Sequence, residues 1–184
     1  MLIALLTGST LAQNAVWQDD ITLWIDVVTK SPEKTRGYNN RGGAYFAANR
    51  LNDAIADFSK AVAINPNYAE AFYNLGRTHQ KQGNANQALA DYDTAITLNP
   101  NYVKAHVNRG NVYDDLNQPY RALQEYNTAL RIDPNDGSAY YNRGITNFRL
   151  GQFDQTAADY RSACAKGYDL GCTAMRKTEE PNRD

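Results

Sequence analysis

The chain has 184 residues, with 19 Lys and Arg against 20 Asp and Glu, for a net charge of -1. That balance supplies no basic surface to recommend a nucleic-acid partner. Its 13 Tyr against 5 Phe suit rings that sit half buried, with the hydroxyl reaching polar groups or water.

Residues 1–16 carry no charge and open on a short apolar run. A signal peptide needs a basic start and a longer apolar region, and a membrane span needs about 20 apolar residues, so this stretch meets neither pattern fully. Ala12 after Thr10 offers a small-residue cleavage site. Alternatively, Pro32 lies 34 residues before Pro66, which makes residues 1–34 an apolar segment followed by a degenerate half-repeat acting as a cap. A helix is predicted over Ile21–Thr29, with Asp19 and Asp20 favourably placed against its dipole. Its apolar stripe is Ile21, Trp24, Val27 and Val28. The segment Asn14–Lys34, with Trp17, Leu23, Trp24 and Ser31-Pro32, also resembles the junction where bacterial multi-spanning membrane proteins pass into a repeat domain. On that reading residues 2–12 are the stump of a last span or a short first helix.

From Thr35 onward the sequence repeats with a period of 34, a signature of a helical array. The units are 35–68, 69–102, 103–136 and 137–168, followed by a cap helix and charged tail over 169–184, the helix being expected over 169–176. Tyr38, Phe72, His106 and Tyr140 open the first helices, and Gly42, Gly76, Gly110 and Gly144 follow, where the missing side chain lets a partner helix approach. In the second helices Phe58, Tyr92, Tyr126 and Tyr160 alternate with Ala54, Ala88, Ala122 and with Ala61, Ala95, Ala129, Ala163, a small-against-large pattern of interdigitated packing. Asn49, Gly83 and Asn117 fall in the turns within units and tolerate left-handed backbone. Pro66, Pro100 and Pro134 mark where helices must end. Each repeat adds its own slice of core, so the length reads as one elongated domain.

This aromatic, Gly, Tyr, Ala, aromatic, Ala, Pro order resembles the tetratricopeptide repeat over residues 35 to 168. The resemblance implies an all-α superhelix, a solenoid of antiparallel helix pairs. It further implies a noncatalytic scaffold that holds an extended peptide or a partner helix in a concave groove. Asn40, Asn74, Asn108 and Asn142 share one register on that face. An amide there can bond both the C=O and the N–H of a peptide whatever its side chains, and the ladder resembles the groove of the O-GlcNAc transferase repeat domain. The alternative is that each Asn bonds the neighbouring helix and stiffens the array.

The same face is expected to present Arg36, Asn39 and Phe46, then Tyr73, Arg77 and Lys81, then Lys104, Asn111 and Asp115, with Asp114 adjacent, then Tyr141, Phe148 and Arg149. A ligand of mixed charge suits this wall. The chaperone-binding carboxylate clamp of the family is matched only at Asn74 and Lys104; Asn39, Gly43 and Asn108 depart from it. Arg41, Arg109 and Arg143 pair on paper with Asp57, Glu125 and Asp159 as exposed structural bridges. Asp91 lacks such a partner because Leu75 replaces the Arg, and would need Arg77 or water.

Cys164 and Cys172, eight residues apart across a Gly-bearing turn, resemble the bridged cysteines of Sel1-like repeats. The resemblance implies a disulfide pinning the cap helix, and with it an oxidising, extracytoplasmic or periplasmic setting in a bacterium, a cytoplasmic one being the alternative. Two independent cysteines are the other reading. No metal, cofactor or catalytic constellation is legible: His79 and His106 stand at ring positions, and no phosphate loop or activated nucleophile is spaced for chemistry. Two further functions remain open. One is self-assembly through an exposed end; the other is service as an accessory domain of a membrane-bound glycosyltransferase-like protein.

Overall fold

A computed structural model describes residues 20–179, and all of their regular structure is helical. The signal, span and cleavage readings of residues 1–16 lie outside the described residues, as do Trp17 and Asp19. The chain divides into two compact units at Leu98/Asn99, where the length had suggested one domain. In a repeat array each pair of helices makes a local core of its own.

Unit 1 holds α1 (residues 20–30), α2 (Thr35–Ala47), α3 (Leu51–Ile64), α4 (Ala69–Lys81) and α5 (Ala85–Leu98). Helices α2 and α3 form one pair, α4 and α5 the next, and α3 packs on α4. In α1, Ile21 and Val28 are buried, as the predicted stripe requires. Val28 packs against Gly37, where an added Cβ would lie 3.1 Å from Val28 Cγ1. The core between pairs gathers Ala54, Phe58 and Leu75 with Tyr45 and Phe72 against it.

Unit 2 holds α6 (Val103–Asp115), α7 (Pro119–Ile132), α8 (Gly137–Arg149), α9 (Phe153–Ala165) and α10 (Asp169–Glu179). Its core gathers Val107, Ala122, Tyr126, Ala129, Leu130 and Ala139. Helix α10 runs past the expected end at residue 176; Arg176 and Lys177 in its last turn favour the extension by facing the negative end of the helix dipole.

One contact recurs in every pair. A Cβ on Gly42, Gly76 or Gly144 would fall 2.7 Å from the ring of Phe58, Tyr92 or Tyr160, and one on Gly110 would fall 2.6 Å from Tyr126. The glycine therefore sets how closely the two helices can pack. Asn49 and Asn117 adopt φ of 59° and 55°, and Gly83 one of 80°, the left-handed geometry expected of these turns. Between repeats, the Asn65, Asn99 and Asp133 side chains accept the amides of Asn67, Asn101 and Asn135, so the residue before each Pro organises its own turn.

Candidate functional site

The four register asparagines do not behave alike. Asn74 Nδ2 donates to Asn39 Oδ1 at 3.0 Å, so in unit 1 one rung is tied to the neighbouring first helix. Asn39 itself is only 3% exposed and also donates to Glu70 at 3.3 Å. Its expected place on the groove wall is thus corrected: it is an internal spacer between α2 and α4. Asn40 and Asn142 are half buried and carry no side-chain hydrogen bond among the described residues. Asn108 is half buried and already engaged.

Around Asn40 and Asn74 the wall is cationic and aromatic. The Arg77 guanidinium lies 4.6 Å from the Phe46 ring centroid and 5.6 Å from that of Tyr73, and Lys81 Nζ lies 4.8 Å from Phe46. Neither cation has a carboxylate partner among the described residues. Tyr73 is largely buried, with its ring tilted against Tyr92 at 6.0 Å, so it forms floor rather than exposed wall. Arg36 is exposed.

In unit 2 Lys104 and Asp115 are exposed. Asn111 accepts the Tyr126 hydroxyl at 2.8 Å. Tyr141 is half buried between Tyr160 and Tyr168, at ring distances of 5.8 and 5.3 Å, which makes it the centre of an aromatic cluster. Phe148 is 53% exposed and meets Phe153 edge-on. Asp114, expected on the wall beside Asp115, is buried and accepts the Thr146 hydroxyl. The cause is one of register: Asp114 and Thr146 face each other where α6 packs on α8.

The carboxylate register is less exposed than expected. Arg41 meets Asp57 in two bonds of 2.7 Å, Arg109 meets Glu125 at 2.8 Å, and Arg143 meets Asp159 at 2.6 Å. The carboxylates of Asp57 and Asp159 are 8% and 5% exposed, so these bridges sit inside the helix pairs rather than on the surface. Asp91 is met not by Arg77 but by His79 Nδ1 at 2.6 Å. His79 thus fills a ring position and a polar one together, while Arg77 is drawn to Phe46. Asn147, which replaces the ring in the last repeat, donates to Asp159 at 3.0 Å.

Cys164 and Cys172 are joined in a disulfide with Cα atoms 4.4 Å apart. The bridge ties α9 to α10 where Gly171 lies so close to Ala163 that an added Cβ would fall 2.4 Å from the Ala163 Cβ. No group of three His, Cys, Asp or Glu side chains that could hold a metal occurs among the described residues. No described helix is long and apolar enough to cross a membrane.

Comparison with known families places repeats of one kind on most of this frame. Tetratricopeptide repeat profiles match residues 69–102 and 91–124, and a TPR repeat profile matches 42–83 and 115–151. The Cys164 and Cys172 pair lies beyond these matches. No curated protein matches the chain. Among solved structures, a crystal structure of MamA superposes with a TM-score of 0.73 at 24% identity, over 89% of this chain and 95% of that one. A chain of the APC/C hetero-tetramer Cut9-Hcn1 superposes with a TM-score of 0.79 at 16% identity, over 92% of this chain and 34% of its own length. At these identities the likeness establishes the fold, the all-α tetratricopeptide array of antiparallel helix pairs.

Proposed function

Since the chain is built of tetratricopeptide repeats, we propose that it is a noncatalytic protein-interaction scaffold whose first helices receive an extended peptide or a partner helix. The observation that carries this reading is the state of Asn40 and Asn142. Both amides are accessible without a hydrogen bond from the described residues, and an unengaged donor and acceptor pair suits a peptide backbone. Asn74 and Asn108 act partly as scaffold, so the O-GlcNAc transferase-like reading of the ladder narrows to two rungs. Tyr73, Lys104, Asn111 and Tyr141 shape the surroundings, and Arg77 offers a cation to an acidic residue of the ligand. The Cut9-Hcn1 neighbour, a chain of a hetero-tetramer, fits a scaffold role.

The test is a peptide array probed with the full chain and with Asn40→Ala/Asn142→Ala, circular dichroism confirming retained helix. Loss of captured peptides with the fold intact supports the reading; unchanged capture refutes it. The Sel1-like reading of the cysteines, with an oxidising and extracytoplasmic setting, rests on the Cys164–Cys172 bridge. Thiol counting on protein isolated under alkylating conditions tests it, two free thiols counting against it.

A second reading, self-assembly through the ends, draws on exposed Leu23 and Ile25 of α1, 55% and 44% exposed, and Leu170 of α10. Sedimentation of the chain with Leu23→Ser/Ile25→Ser separates it from the first, since a monomer before and after substitution would rule it out.

A further inference from the structure

In unit 2 the first helices α6 and α8, with Tyr126 of α7 beneath, enclose a cleft of about 170 Å³. Asp114 lines it, although the residue is only 8% exposed. Its Oδ2 accepts the Thr146 hydroxyl, but its buried Oδ1 accepts no hydrogen bond among the described residues. A buried carboxylate oxygen without a donor is costly, and a donor brought to it gains accordingly. The cation at hand is Arg149, whose Nη1 stands 3.5 Å from that Oδ1 and 3.5 Å from the Asp114 carbonyl. Those separations exceed a normal charge-assisted bond, and the Arg149 side chain is 47% exposed. Arg149 is a loosely seated occupant, and it shows which chemistry the place accepts.

The remaining lining is complementary to a cation. Asp115 adds a second carboxylate at the rim, and Asn142 offers an unengaged amide. The Tyr126 hydroxyl donates to Asn111, and burial, with the Asp114 charge beside it, pushes that hydroxyl far above its ordinary pKa, so it remains a neutral donor. With two carboxylates and one guanidinium, the lining keeps a net negative charge.

We propose that this cleft is a side-chain subsite for an Arg or Lys of the bound segment, whose guanidinium or ammonium displaces Arg149 from Asp114 while Asn142 holds the adjacent backbone. The inference rests on the groove reading above and adds the identity of a residue the partner must carry.

The test uses two blocked peptides, Ala-Ala-Arg-Ala-Ala and the same sequence with citrulline, the neutral isostere of Arg, titrated into the full chain by two-dimensional NMR. The Arg peptide should perturb the side-chain amides of Asn111 and Asn142 and the Ile145 methyls, and bind about tenfold more tightly than its citrulline counterpart, the worth of one charge-assisted bond. Arg149→Ala should tighten the Arg peptide by removing its competitor. Asp115→Asn should reduce the preference, and Asp114→Asn should abolish it. Because Asp114 also holds Thr146, the exposed Asp115 and Arg149 variants decide the matter if Asp114→Asn fails to fold. Equal binding of both peptides at these resonances overturns the cation subsite and leaves the groove reading standing. If neither peptide perturbs any first-helix residue, and the array capture also ignores Asn40 and Asn142, both fall together.

Discussion

Asp91 in unit 1 and Glu125 in unit 2 stand one repeat apart in the same register and are sheltered alike, at 18% and 14% exposed, yet their acidities move in opposite directions. Burial holds the Asp91 carboxyl above its ordinary value in spite of the His79 hydrogen bond. Burial pushes at Glu125 too, but hydrogen bonds from His106 and Arg109 outweigh it and leave that carboxyl below its ordinary value. The repeat decides where a carboxylate sits; the partner decides whether it is at ease when charged. Unit 1 has Leu75 where unit 2 has Arg109, and that one difference removes the guanidinium.

The comparison breaks most readily at the end of unit 2. Arg143→Ala would leave the Asp159 carboxylate, 5% exposed, with Asn147 as its remaining donor, and should cost about 3 kcal/mol in chemical denaturation. His79→Ala in unit 1 should cost ~1 to 3 kcal/mol, since one bond to a better hydrated carboxylate is lost. Equal losses would mean that the guanidinium adds nothing. Cys172→Ser should cost ~2 to 3 kcal/mol by freeing the short loop it closes. Hydrogen exchange should show that loss in α10 and not in α2 or α3.

Packing sharpens the contrast at lower energy. Gly110→Ala drives a methyl into Tyr126 and should cost ~1 to 3 kcal/mol. Gly43→Ala, with no atom within 4 Å of the new methyl, should gain up to ~1 kcal/mol from helix propensity. The smallest effect is on pH dependence. Glu125 has its folded pKa lowered from 4.5, so its contribution is present above that value and lost as pH falls through the folded pKa. Asp91 is raised from 3.8, so its contribution is present below that value and lost as pH rises through the folded pKa. In urea melts between about pH 3 and 6, Glu125→Gln should flatten the loss of stability on acidification and Asp91→Asn should steepen it.

The helix frame was legible because its cues are local: Gly opposite a ring, Asn or Gly in the turns, Asn or Asp before Pro. The pairing of Arg41, Arg109 and Arg143 with their carboxylates was legible for the same reason, since each lies within one helix pair. What escaped were contacts between successive pairs. The burial of Asn39 against Asn74 and of Asp114 against Thr146 depends on which faces the first helices turn to each other, and a 34-residue period does not specify that rotation. His79 escaped because its ring position masked a polar duty. The one available signal was the missing Arg at Leu75, which leaves Asp91 short of a partner that only a nearby imidazole or cation could replace.

The bond between Cys164 and Cys172 also changes how unit 2 would answer a mechanical load. Helices held only by side-chain packing peel one after another when pulled from an end. Here tension applied through α10 passes covalently into α9, so the first turn of the last helix cannot be stripped away. A reductant would turn that clasp into an ordinary seam, and the unit would then yield to force at the helix it now protects.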